Sequence, residues 1–170
     1  MPHAIPDDAL MLYIKLPRGN HGPGVRGEHL SRALASLVPV ERLSFQEGAP
    51  QHVPGSLLQM AGPEFRPASG LTAKRHVGYA VFEHDIEAQR AARAARAGFD
   101  VIVTASRWGE QVLHEAGLTS VTTIHQGVDG ALFQPARAVR RRFRDRFVVF
   151  SGAKFELRKA QDVVIRAFKI

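Results

Sequence analysis

The sequence predicts an α/β protein built on a Rossmann-like parallel sheet. Three observations carry that reading. Short apolar runs alternate with longer segments of helical periodicity, the pattern of strands joined by crossover helices. The run Phe99–Thr104 (FDVIVT) is almost continuously apolar, as a strand buried on both faces requires. Glycine and proline fall at the junctions, where the chain must turn rather than continue.

The elements follow in order. Leu10–Leu16 (LMLYIKL) suits a first strand. Pro17–Gly24 reads as a Gly/Pro loop. Val25, Leu30, Ala33, Leu34 and Leu37 fall on one face of a helix, which Pro39 ends. Val40–Phe45 is a second strand, Gln46–Gly55 a loop, and Ser56–Ala61 (SLLQMA) a short third strand. Gly62–Lys74 is rich in Pro, Gly and Ser and is expected to be irregular. His76–Phe82 (HVGYAVF) is the next strand. Asp85 can cap an Ala-rich helix running to Ala97, with Gly98 as its stop. After FDVIVT, Ser106 can cap a helix from Arg107 to Ala116 that Gly117 ends, and Val121–His125 is a further strand.

The expected domains are therefore 1–135, an Arg-rich linker at 136–146, and 147–170 as an incomplete further piece. That last piece reads as the strand Phe147–Phe150, a basic loop and a helix. So short a piece cannot cover a parallel strand on both faces. Self-association through its uncovered apolar surface is expected.

Composition narrows the class. Cysteine is absent, which excludes disulfides and thiolate metal sites. Met1–Asp8 lacks the basic and apolar regions of a signal peptide. No apolar run approaches the ~20 residues that cross a bilayer. A cytoplasmic protein is expected. The net charge of +7 comes mainly from Arg90, Arg93 and Arg96 and from Arg137, Arg140, Arg141, Arg142, Arg144 and Arg146. Such clusters attract phosphates or an anionic membrane surface, or they form a solvated helix face and linker. No nucleic-acid motif accompanies them, so nucleic acid is not the expected partner.

Three places could carry chemistry. Gly22-Pro23-Gly24-Val25-Arg26-Gly27 is a literal G-x-G-x-x-G between a strand and a helix. Backbone there can approach a phosphate or sugar; a plain Gly/Pro turn is the alternative. A dinucleotide fingerprint would start at the strand end and place an acid after the second strand, so a nicotinamide-dependent oxidoreductase is the minor reading. Glu83, His84 and Asp85 follow a strand end. Glu83 and His84 are the candidates for catalysis, and helix capping by Asp85 is the competing explanation. Lys154, Arg158 and Lys159 lie between a strand and a helix, a cluster of cations that could hold an anion or be a plain solvated basic loop. His76, His114 and His125 lack metal-ligand spacing, so no metal is expected.

The order Ile124-His125-Gln126-Gly127-Val128-Asp129, Leu132-Phe133-Gln134-Pro135, the strand 147–150, then Lys154 to Asp162 resembles the crossover between the two halves of a GT-B glycosyltransferase. The likeness is to the retaining group 1, or family 4, enzymes, and Thr104–Trp108 with Gly117 also resembles a stretch of that family. It implies transfer of a hexosyl group from a nucleotide-sugar, the substrate rather than a cofactor, to a carbohydrate or glycolipid acceptor. Lys154 and Lys159 would hold the donor diphosphate, with Arg158 as support or third contact. The glycine-rich loop would lie near the donor phosphate and the acceptor, and the turn at Glu83 would line the acceptor cleft. Lys154 stands where arginine is commoner, and Ala160 where the family usually has glycine. The resemblance implies that a complete second Rossmann-like domain, of which 147–170 would be the start, closes the site, so little turnover is expected of residues 1–170 alone. A non-catalytic Rossmann-like protein that docks through its basic surface is the other reading.

Overall fold

The structure is a computed structural model and describes residues 12–20, 22–43, 50–61, 65–83, 98–134 and 146–169. The expected Ala-rich helix after Asp85, His84, and most of the Arg-rich linker lie outside those residues. The chain divides into two compact units, Met1–Gly127 and Val128–Ile170.

The first unit is α/β. Its strands are β1 (Leu12–Lys15), β2 (Val40–Arg42), β3 (Gln51–Met60), β4 (Leu71–Ala80), β5 (Val101–Thr104) and β6 (Val121–Thr123). They form one six-stranded sheet in the order β2-β1-β3-β4-β5-β6, and every pairing is parallel. Helix α1 (Gly22–Ala35) follows β1, and α2 (Arg107–Glu115) links β5 to β6.

Two expected loops are in fact strand. β3 starts at Gln51 rather than Ser56, and β4 at Leu71 rather than His76. The added halves pair with each other, Gln51 with Leu71, His52 with Thr72 and Val53 with Ala73. The register shifts between Val53 and Ser56, around Pro54, which has no N–H to donate to a ladder. Val53, Leu57 and Leu71 pack as their own core cluster. Local composition missed these halves because each acquires its partner only in the folded sheet.

The return from β3 to β4 contains no helix among its described residues, although parallel strands usually need a helical crossover. It drives Phe65 into the core at φ 52, and that side chain is buried. The larger core cluster joins Phe65 to Ala61, Ala80, Ile102, Leu113 and Val121. A buried polar pair holds the same return segment. Gln59 Oε1 accepts from the Ala68 amide at 3.2 Å and faces His76 Nε2 at 3.0 Å. Because an amide oxygen only accepts, Nε2 of His76 carries the proton in this contact. Burial lowers the pKa of His76, and Asp100 partly opposes the shift.

Helix α1 does not bury the face that its apolar periodicity marks. Its buried residues are Gly24, Gly27 and Ser31, whereas Val25 and Leu37 are exposed. The cause is a close approach to the chain leaving β1. A Cβ on Gly24 would lie 2.5 Å from the Gly19 carbonyl oxygen, and one on Gly27 would collide with the Pro17 carbonyl oxygen. Ser31 Oγ donates to the Gly27 carbonyl at 2.6 Å, which satisfies its buried hydroxyl.

The second unit is sparse. It holds a 3-10 turn at Leu157–Lys159 and helix α3 (Gln161–Ala167). The expected strand Phe147–Phe150 does not form: these residues are in no ladder, and Phe147 and Phe150 are 90% and 86% exposed. An apolar run becomes a strand only when a neighbour takes its N–H and C=O groups, and no described strand pairs with it. Among the described residues no helix is long and apolar enough to cross a membrane.

Candidate functional site

Because all six strands are parallel, their carboxyl ends share one edge of the sheet. β1 lies between β2 and β3, so the chain reverses its direction across the sheet there. Open parallel sheets bind ligands outside the carboxyl ends of the strands, favouring such a reversal. Lys15, Ala80, Thr104 and Thr123 end four of the strands on this edge.

The glycine motif lies beside β1, in a different setting from the expected one. Gly22, Gly24 and Gly27 all belong to α1 rather than to a loop. Proline at position 23 fits the first helical turn, whose N–H groups have no helical partner. Gly24 and Gly27 are spent on helix packing, and Gly22 alone has open space around its Cβ position.

On the same edge, β4 runs out through Val81, Phe82 and Glu83. Glu83 is exposed. Phe82 meets the buried Phe65 edge-on, with centroids 5.2 Å apart, and the tilted Trp108 ring at 5.5 Å. Trp108 is 46% exposed. Phe82 lies next to Gly109 of α2, within ordinary contact distance (3.6 Å) of where a Cβ would stand. Ser106 caps α2 as expected, its Oγ accepting from the Gly109 amide at 3.1 Å. Past β6, Gln126 Nε2 donates to the Tyr79 hydroxyl at 2.9 Å, which ties the chain leaving β6 to β4.

A groove of about 530 Å³ lies between α2 and β6, lined by Arg107, Glu110, His114, Thr123 and His125 among others. Its polar groups are largely engaged with one another. Thr123 Oγ1 donates to Glu110 Oε2 at 2.6 Å. His114 Nδ1 donates to the Leu118 carbonyl at 2.8 Å, leaving Nε2 toward Glu110 at 3.8 Å. Among the described residues no three His, Cys, Asp or Glu side chains are grouped to hold a metal.

No protein-family model matches the chain, and neither the curated proteins nor the solved structures include a match.

In the second unit, Asp129 Oδ1 accepts from the Ala131 amide at 2.9 Å, an aspartate side chain opening a turn by bonding the backbone two residues on. The three expected cations share one loop. Gln161 is buried, and its Nε2 donates to the Ala153 carbonyl at 2.8 Å. That bond closes residues 153–161 into a ring of chain bearing exposed Lys154, Arg158 and Lys159. Arg158 Nε donates to Glu156 Oε2 at 3.0 Å. Ala160 sits at φ 51, ψ 30, a left-handed conformation that favours glycine.

Sequence reasoning missed Phe65, Phe82 and Gln161. Phe65 lies in a segment whose composition reads as irregular. Phe82 looks like any apolar strand end, and Gln161 like any polar residue opening a helix. Only their folded neighbours mark them.

Proposed function

We propose that this chain is a glycosyltransferase-related protein of the GT-B class. The reaction of the complete site is transfer of a hexosyl group from a nucleotide-sugar to a carbohydrate or glycolipid acceptor. The first unit is the acceptor-side Rossmann-like domain. Lys154 and Lys159 in the second unit face the donor diphosphate, with Arg158 supporting them through its contact with Glu156. Cations fixed over a leaving diphosphate stabilise its growing negative charge as the glycosyl bond breaks, without a general acid or a metal.

The observation that carries this reading is the loop 153–161. It carries the three exposed cations, is closed by a buried glutamine, and turns through a left-handed residue at Ala160. The resembled enzymes usually have glycine at that point, and this conformation gives a physical reason for one. The parallel sheet, reversing beside β1, adds support at the level of fold.

Calorimetric titration with uridine, guanosine and adenosine diphosphates tests the proposal. One of them should bind, and Lys154→Ala with Lys159→Ala should weaken it about a hundredfold or more, since a charge-assisted bond contributes roughly 1.5–3 kcal/mol. Binding that survives in the double variant, or no binding by the parent chain, would overturn the assignment.

A further inference from the structure

We propose that Trp108 is the stacking wall of a pyranoside subsite at the carboxyl ends of β4 and β5. This inference rests on the glycosyltransferase reading and specifies how the acceptor is held.

Three rings run outward from the core to that edge. Phe65 is buried at 2% exposure and takes a positive φ of 52, which a bulky side chain adopts only when its surroundings impose it. Its ring meets Phe82 edge-on. Phe82 rests against the first turn of α2 beside Gly109 and braces the indole of Trp108. The indole is thus held from behind while nearly half of its surface meets solvent. The relay fixes an aromatic surface at the edge where parallel sheets take ligands.

The neighbouring polar groups narrow the ligand class. Glu83 follows Phe82 directly and Arg107 precedes Trp108, and both are exposed. A pyranose ring has a face of C–H groups and a rim of hydroxyls. The C–H face matches an aromatic surface, and the rim matches a carboxylate acceptor and a guanidinium donor.

Trp108 is the single tryptophan of the chain, so its fluorescence reports this position alone. The parent protein is titrated with methyl pyranosides of glucose, mannose, galactose and N-acetylglucosamine, with sorbitol as an open-chain control. At least one pyranoside should shift the emission saturably to shorter wavelength and reduce acrylamide quenching about twofold, and sorbitol should do neither. Saturation-transfer NMR on that glycoside should lose its signal in Trp108→Leu, with far-UV circular dichroism verifying that the variant is folded. Pyranosides that behave like sorbitol overturn the proposal, as does a signal that persists in folded Trp108→Leu. A shift produced by uridine or adenosine but by no pyranoside overturns it too, assigning the wall to a nucleobase. Nucleoside diphosphate binding is a separate measurement. If it holds while the pyranosides fail, this subsite is wrong and the donor assignment stands. If pyranosides bind and no diphosphate does, the surface binds sugar but the transferase reading fails.

Discussion

At the scale of single residues, backbone conformation and close approach decide more than side-chain chemistry. Ala160 occupies a left-handed conformation that costs a non-glycine residue roughly 1–2 kcal/mol. Ala160→Gly should therefore slow amide exchange at Val163 and Val164, whose N–H groups bond the residue 160 carbonyl. Unchanged or faster exchange would contradict the strain. Gly27→Ala has the opposite sign. Alanine is the better helix former by about 1 kcal/mol, but the new methyl meets the Pro17 carbonyl, and overpacking of that kind costs roughly 1–3 kcal/mol. A lower denaturation midpoint is expected, and a higher one would refute the close approach. His76 acts through protons. Burial holds its folded pKa below the ordinary 6.5, so the unfolded chain takes up a proton first as pH falls. Its stabilising contribution is complete above about pH 6.5 and is lost between there and the lower folded pKa. Denaturation midpoints should fall from about pH 7.5 to about pH 5.5, and less steeply in His76→Gln. Equal slopes in the two proteins would exclude His76 as the source.

At the scale of elements, the clearest local signals mark real structure. Ser106 announces α2 in the sequence and caps it in the fold. Ser106→Ala should cost about 1 kcal/mol, read as a lowered urea midpoint. The run FDVIVT yields β5 because strands flank it on both sides. FVVF carries as strong a strand pattern and yields none, because no described neighbour pairs with it. The amino-terminal halves of β3 and β4 show the converse. Neither reads as strand, and pairing makes both of them so. On α1 the apolar stripe was legible, but the buried face is the glycine and serine stripe beside it. A helix can bring its axis close to another backbone only on a face of small residues.

At the scale of the whole molecule, the two units differ in what holds them. Among the described residues both hydrophobic clusters lie within the first unit. The second exposes Phe147, Phe150, Phe155 and Phe168, and the α-helix among its described residues runs only from Gln161 to Ala167, well below the roughly 12–15 residues an isolated helix needs. A chain ending at Gly127 should therefore unfold cooperatively in urea, while an isolated 128–170 peptide should show no cooperative transition. A sharp transition in the peptide would mean that it has a core of its own.

The sequence by itself determined the α/β class, all six strand positions at least in part, the α2 cap, and the cation-bearing stretch 154–159. Those features depend on residues near one another along the chain. Tertiary structure alone decided the strand order, the long β3–β4 pairing, which face of α1 is buried, and the relay from Phe65 through Phe82 to Trp108. Phe65 and Trp108 are far apart in sequence, and only a return segment forced into the core places one behind the other. Periodicity reports which face of an element is apolar, whereas what that element can approach is set by the backbone packed against it.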